Sequence, residues 1–141
     1  MKNIILVLFS FATFNFCNAQ SQEEFAIRNA MNEQLNAWNS GNIDLFMHTY
    51  WQNDSLLFVG STKPTYGWQS TLEHYKQTYP DTAAMGKLSF NLLQLKQLSP
   101  VYYFVMGEWH LKRSAGDLGG YFTLLFKKIN DHWLIIVDHT S

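Results

Sequence analysis

The chain has 141 residues, of which 47% are hydrophobic, 16% aromatic and only 15% charged, with a formal net charge of −1. This composition excludes a disordered or coiled-coil chain and points to one domain. With no block of Lys or Arg, the electrostatic footprint of a nucleic-acid binder is missing, and a single cysteine, Cys17, excludes a disulfide framework or thiolate metal centre within one chain.

Residues 1–19 read as a secretory leader. Lys2 supplies the positive start, Ile4 to Phe16 is an apolar run, and Cys17-Asn18-Ala19 ends on a small residue. Cleavage after Ala19 leaves a mature domain of residues 20–141, exported to the periplasm or secreted, with no membrane association once the leader is gone. Losing Lys2 leaves nine basic against eleven acidic residues. Losing Cys17 excludes thiol catalysis, and the domain must then rely on its apolar core.

Ser21 to Glu24 fits a capping box. Ile27, Ala30, Met31, Leu35 and Trp38 fall on one helical stripe, which Asn39-Ser40-Gly41 ends. Asn42 caps a short second helix carrying Ile43, Phe46 and Met47, with Asp44 compensating the dipole in its first turn. Asp54 is placed in a turn, capping backbone amides, ahead of a strand over Ser55 to Val59. A loop over Gly60 to Pro64 and a third helix over Gly67 to Tyr79 follow, the helix being closed by Pro80.

The remainder reads as strands. Over Lys87 to Leu98 the alternation Leu88, Phe90, Leu92 slips to Leu93 and Leu95, the signature of a β-bulge. Val101 to Arg113 is a long strand, Ser114 to Gly120 a glycine-rich connection, and Tyr121 to Ile129 another strand. Asn130-Asp131 turns into a last strand, Trp133 to Thr140. Val101 to Met106 and Tyr121 to Phe126 are apolar on both faces. Both faces of the sheet must therefore be covered, by helices or a pocket on one side and a partner subunit on the other.

Helices followed by a long bent antiparallel sheet resemble the nuclear transport factor 2-like cone, and the residues sharpen the likeness. Ala37-Trp38-Asn39-Ser40-Gly41-Asn42 is similar to the helix end of SnoaL-like domains. Asp54 with Phe58, then Tyr66-Gly67-Trp68, stand where that family places comparable elements. Gly107-Glu108-Trp109, Gly120-Tyr121-Phe122-Thr123, and Trp133 through Asp138-His139-Thr140-Ser141 resemble its last three strands. More distantly, the layout resembles the association domain of calmodulin-dependent kinases. The resemblance implies an α+β cone of three N-terminal helices on a strongly bent antiparallel sheet, a central pocket and a homodimer. It implies no particular reaction, because the superfamily holds isomerases, dehydratases and cyclases beside non-catalytic binding domains.

Enzymes of the superfamily tend to place a carboxylate in the apolar cone, where burial raises its pKa towards neutrality. Asp138 and Glu108 are the carboxylates best placed to act as general acid/base. Adjacent strand residues point to opposite faces, so only one of Asp138 and His139 sees the cone. Parity groups Asp138 with Leu134, Ile136 and Thr140, and His139 with Trp133, Ile135 and Val137. Asp138 is expected to be a hydrogen-bonded structural anion, titrating at or below the ordinary value of about 3.9.

The five histidines show no ligand spacing, His74 standing on a helix otherwise polar around it, so neither metal nor cofactor is expected. The aromatic excess suits a flat apolar ligand, held by Trp38, Tyr50, Phe58, Tyr66, Trp68, Trp109 and Thr140. The leading expectation is an exported, homodimeric domain binding a small apolar or aromatic molecule. The alternative is an isomerase, dehydratase or cyclase using Asp138 or Glu108. A carboxylate meeting a second polar group deep in the cone favours the enzyme, whereas a floor filled by Trp and Phe disfavours it. N-terminal sequencing of protein from the native host should begin at or near Gln20, and an intact Met1 in a soluble cytoplasmic fraction would refute the leader.

Overall fold

The apolar stripe from Ile27 to Trp38 becomes the inner side of helix α1, Phe14–Asn39, with Ile27, Met31 and Trp38 buried. The computed structural model describes residues 14–141, with side chains from residue 22 onward; the expected leader lies outside the described residues as far as position 13. Because α1 begins at Phe14 rather than Ser21, the expected capping box falls inside the helix. Glu24 instead pairs with Arg28 one turn on, Oε1 to Nη2 at 2.7 Å. Among the described residues no helix is long and apolar enough to cross a membrane.

Two contacts fasten α1 to the sheet. At its C-terminal end the Asn39 amide behaves like one more strand residue: its Nδ2 donates to the Leu88 carbonyl at 2.9 Å and its Oδ1 accepts from the Leu88 N–H at 2.8 Å. The neighbouring Trp38 indole donates to the Met85 carbonyl at 3.2 Å. Earlier in the helix, Glu23 accepts from Lys128 Nζ at 2.7 Å and from the Trp133 indole at 2.6 Å.

Asn42 caps the short helix α2, Ile43–Phe46, its side chain accepting from Leu45 N–H as expected. Helix α3, Trp68–Thr78, also follows the sequence pattern. A single-turn helix α4, Thr82–Met85, and a short strand within the expected Gly60–Pro64 loop and beyond were not legible. Each is held by contacts outside itself.

The sheet has six strands: β1 Leu57–Val59, β2 Pro64–Tyr66, β3 Lys87–Ser99, β4 Tyr102–Lys112, β5 Leu118–Ile129 and β6 His132–Thr140. Their order is β2-β1-β6-β5-β4-β3, antiparallel except for the parallel pair β1 and β6. The bulge expected in β3 is present, between Leu92 and Gln94, with a second shift between Gln97 and Ser99. A third lies in β6, where Leu125 faces Val137 and Phe126 faces Ile135, leaving Ile136 unpaired.

That third bulge corrects the parity assigned to β6. Trp133 and Ile135 are buried in the core together with Asp138, and His139 is exposed on the outer side. Strand β5 also starts earlier than expected, since Gly119 and Gly120 pair with His110 and Trp109. Gly120 can stand there because the Ser141 carbonyl occupies the place of a side chain.

Gly107 of β4 sits beside the β3 bulge, paired with Leu92 and Phe122. A Cβ there would lie 2.6 Å from the Phe122 ring and 2.7 Å from the Asn91 carbonyl oxygen. The missing side chain lets the sheet bend and the Phe122 ring pack across it. Gly107→Ala should therefore destabilise the fold by about 1–3 kcal/mol, the usual cost of overpacking. Urea unfolding checks this; an unchanged midpoint would show that the bend has other support.

Candidate ligand pocket

The concave face of the bent sheet and the helices α1 and α3 enclose a cavity of about 510 Å³, lined mainly by aromatic and aliphatic side chains. Its walls come from distant parts of the chain: Met31 and Trp38 on α1, Phe46 at the end of α2 and Tyr50 beyond it, Tyr75 on α3 and Tyr79 just after it, and Phe90, Trp109 and Phe122 on the sheet. Trp38 meets Phe46 and Tyr79 edge-on, with ring centroids 5.1 and 4.8 Å apart.

At the deep end lies Asp138, 2% exposed. Its Oδ2 accepts from the Tyr50 hydroxyl at 2.6 Å and its Oδ1 from the Thr140 hydroxyl at 2.7 Å. The Tyr75 hydroxyl lies 3.3 Å from that of Tyr50 and extends the chain of hydrogen bonds onto α3. Parallel pairing sets Phe58 of β1 opposite Asp138, and the Phe58 ring packs on Tyr75 and His74 with centroids 5.4 Å away in each case. Among the described residues Asp138 makes no ion pair.

Burial raises the Asp138 pKa above the usual carboxylate value, opposed by the Tyr50 and Thr140 hydrogen bonds and by His139. The expected structural anion with an ordinary or lowered pKa is thus corrected: desolvation wins over two donors. Burial also drives the Tyr50 and Tyr75 hydroxyls well above their ordinary range, reinforced by the Asp138 charge. Both phenols keep their protons at any physiological pH.

Of the residues expected at the site, Trp38, Tyr50, Phe58, Trp109, Asp138 and Thr140 line this cavity. Glu108 does not. It lies on the convex face opposite Tyr121 and accepts from Asn91 Nδ2 at 2.8 Å, so it has no access to the cone and is withdrawn as an acid/base. Tyr66 stands 67% exposed on the edge strand β2. Trp68 fastens the start of α3 by donating its indole N–H to the Met47 carbonyl at 2.9 Å.

Asp54 caps nothing in its turn, where the Asn53 side chain accepts from Ser55 N–H instead. His74, expected on a polar helix, lines the cavity against Phe58. Tyr75 and Gln34 are the site residues that sequence reasoning missed. Tyr75 lies one turn from Leu72 and Tyr79 on the buried side of α3, but no local signal distinguishes a pocket wall from core. Among the described residues no group of three or more His, Cys, Asp or Glu could hold a metal ion.

A curled sheet closed by helices over an internal pocket defines a cone-shaped α+β domain. Among solved structures, the chain is similar to a nuclear transport factor 2-like protein of unknown function from Shewanella oneidensis MR-1. The two are 40% identical, the match covering 84% of this chain and 98% of that one with a TM-score of 0.81. The chain belongs to the nuclear transport factor 2-like family.

Two further likenesses speak for the fold alone. A superfamily protein from Salmonella enterica is 18% identical over 86% of this chain and 92% of its own, with a TM-score of 0.69. A ketosteroid isomerase-like protein from Erwinia carotovora atroseptica is 18% identical over 85% and 95%, with a TM-score of 0.67. No protein-family model matches the chain, and no curated protein does.

The raised pKa carries a sign. The folded protein holds the Asp138 proton to higher pH than the unfolded chain does. Stability from this group is therefore complete below about pH 3.9 and is lost as pH rises through the folded midpoint. In an NMR titration the Asp138 carboxyl carbon should show a midpoint above about 3.9. Tyr50→Phe, which removes a donor to the ionised form, should move it higher still. A midpoint below that of a free aspartate would mean that the hydroxyls outweigh burial.

Proposed function

We propose that the protein is an exported domain, residues 20–141, that binds a small, mostly apolar or aromatic molecule in its cone and forms a homodimer through the convex face of the sheet. The cavity carries the first part of this reading: about 510 Å³ with aromatic walls and polar groups that include the Asp138, Tyr50 and Thr140 cluster suits a flat molecule anchored by a polar substituent. Export rests on the leader pattern of residues 1–19. Cleavage there keeps Glu23, which ties α1 to the sheet, within the mature chain.

The dimer rests on the outer face. Phe104, Met106, Leu125 and Val137 are only half-buried there, Tyr121 is 57% exposed, and among the described residues no element covers them. A partner copy burying about 1,500 Å² in total would satisfy this face at the standard interface size.

A second reading is favoured by one observation. A buried carboxyl with a raised pKa, 2.6 Å from a tyrosine hydroxyl inside an apolar cavity, is the arrangement general acid/base catalysis uses. On that reading Asp138 exchanges the proton of an isomerase, dehydratase or cyclase-type reaction, and Tyr50 shapes the substrate.

Thermal-shift screening of the purified protein against small aromatic and steroid-like compounds should find members that raise the melting temperature, since a ligand of the native state stabilises it. Trp38→Ala should weaken the shifts, and a panel without any shift would sink the pocket reading. Asp138→Asn separates the two classes. An enzyme loses roughly 100-fold or more of its turnover while staying folded, whereas in a binding domain the substitution changes ligand affinity and no turnover exists to lose. Light scattering at micromolar concentration should give about twice the chain mass; a monomer there would leave the convex face without its proposed cover.

A further inference from the structure

The direction of the hydrogen bonds around the pocket narrows the ligand. Tyr50 has one proton, and it points at Asp138 Oδ2. In the 3.3 Å contact between the two phenols, Tyr75 must therefore be the donor and Tyr50 the acceptor. Thr140 likewise directs its proton at Asp138 Oδ1. Every hydroxyl proton in the network runs towards the carboxylate, so what remains to offer a ligand is lone pairs.

A second, separate set of bonds leads to the same result at the α1 wall. Thr49 donates its hydroxyl proton to the Phe46 carbonyl at 3.0 Å and can only accept from Gln34 Nε2, at 2.9 Å. This fixes the Gln34 amide. Its Oε1 has no partner among the described residues, yet it is not a sealed orphan, and Gln34, 2% exposed, lines the cavity. Gln34 lines the cavity, so a carbonyl oxygen left open there can accept from a donor on a bound molecule.

The charge balance adds a sign. When Asp138 is ionised, its charge is answered by two hydroxyls and by no ion pair among the described residues, His139 acting on it only from the outer face, while Trp38, Phe46, Tyr50 and Tyr75 line the same space. Aromatic faces and a desolvated carboxylate both favour an organic cation.

Resting on the reading of the cone as a ligand pocket, we infer that its ligand is an apolar or aromatic amine. The ammonium group donates to the lone pairs of the Asp138, Tyr75 and Gln34 side chains, and the apolar body lies among the rings. The raised pKas of Tyr50 and Tyr75 agree with this, because both phenols stay protonated and hold the network in its direction. Of the other basic groups lining the cavity, Lys63 stands on the exposed loop before β2, whereas His74 packs on Phe58 and beside Tyr75, with ring centroids 5.4 and 6.2 Å away. His139 is on the outer face.

The test is calorimetry of the purified protein, near neutral pH, with four probes on one naphthalene skeleton: the methylamine, the methanol, the methyl ketone and the carboxylate. The amine should bind roughly tenfold or more tightly than the ketone and the carboxylate, the scale of a hydrogen bond to a charged group, with the alcohol between. Asp138→Asn should remove the amine's advantage. Tyr75→Phe keeps the carboxylate but deletes an acceptor and should weaken the amine more than the ketone, so it decides the matter if the Asn variant does not fold. A ketone or carboxylate that binds as well as the amine overturns the inference and leaves the pocket reading standing. An amine preference unmoved by a folded variant of either kind also overturns it. If no probe binds, and the wider screen finds no ligand, both fall together.

Discussion

A six-stranded sheet encloses a cavity only if it bends, and here the bend depends on extra residues in the strands. Long antiparallel strands with regular alternation form a gently twisted surface. The register shifts at Leu92/Gln94 and Gln97/Ser99, and the unpaired Ile136, break that regularity, while Gly107 leaves room on the inner side of the curve. Once the sheet curls, α1 and α3 can close the concave face without filling it, and a space bounded by aromatic rings remains.

The same constraint sets the chemistry. Without the extra residue at Ile136, the strict two-residue period of β6 would turn Asp138 away from Trp133 and Ile135. With it, all three face inwards, and Asp138 meets Tyr50, brought from the other end of the chain by the turn after α2. A carboxyl placed at that depth is costly to ionise. The fold offsets part of the cost with two hydroxyls, and leaves the rest as a raised pKa. What distinguishes this pocket from ordinary core is that the Tyr50 and Thr140 hydroxyls both donate to one buried carboxyl on its wall. Family membership alone decides none of this, because similar cones serve different ends.

Much of the fold was legible because its signals are local. The stripe on α1, the Asn42 cap, the breadth of α3, the Asn130-Asp131 turn with both residues at positive φ, and the β3 bulge each follow from a few neighbouring residues. The early start of β5 was not legible, since glycines at 119 and 120 read as a loop until the Ser141 carbonyl is seen packed against the second of them. Helix α4 and strand β2 are too short to carry a periodic pattern.

For the site, the sequence by itself determined the stock of chemistry: many aromatics, one acidic residue near the end of the last strand, and no cysteine beyond Cys17. It could place Trp38, Phe58, Trp109 and Thr140 in the cone because they stand in family-like motifs, and Tyr50 as part of the aromatic excess. Only the tertiary structure decided which carboxylate is inside. Parity counted from one strand cannot register a bulge whose evidence is the pairing with the next strand, so Asp138 was grouped with the wrong neighbours and Glu108 kept as an equal candidate. Nor can a sequence show that Tyr75 and Gln34 converge on the same space, or which way a hydroxyl proton points. Those are properties of distances between residues far apart in the chain, and they exist only once the chain is folded.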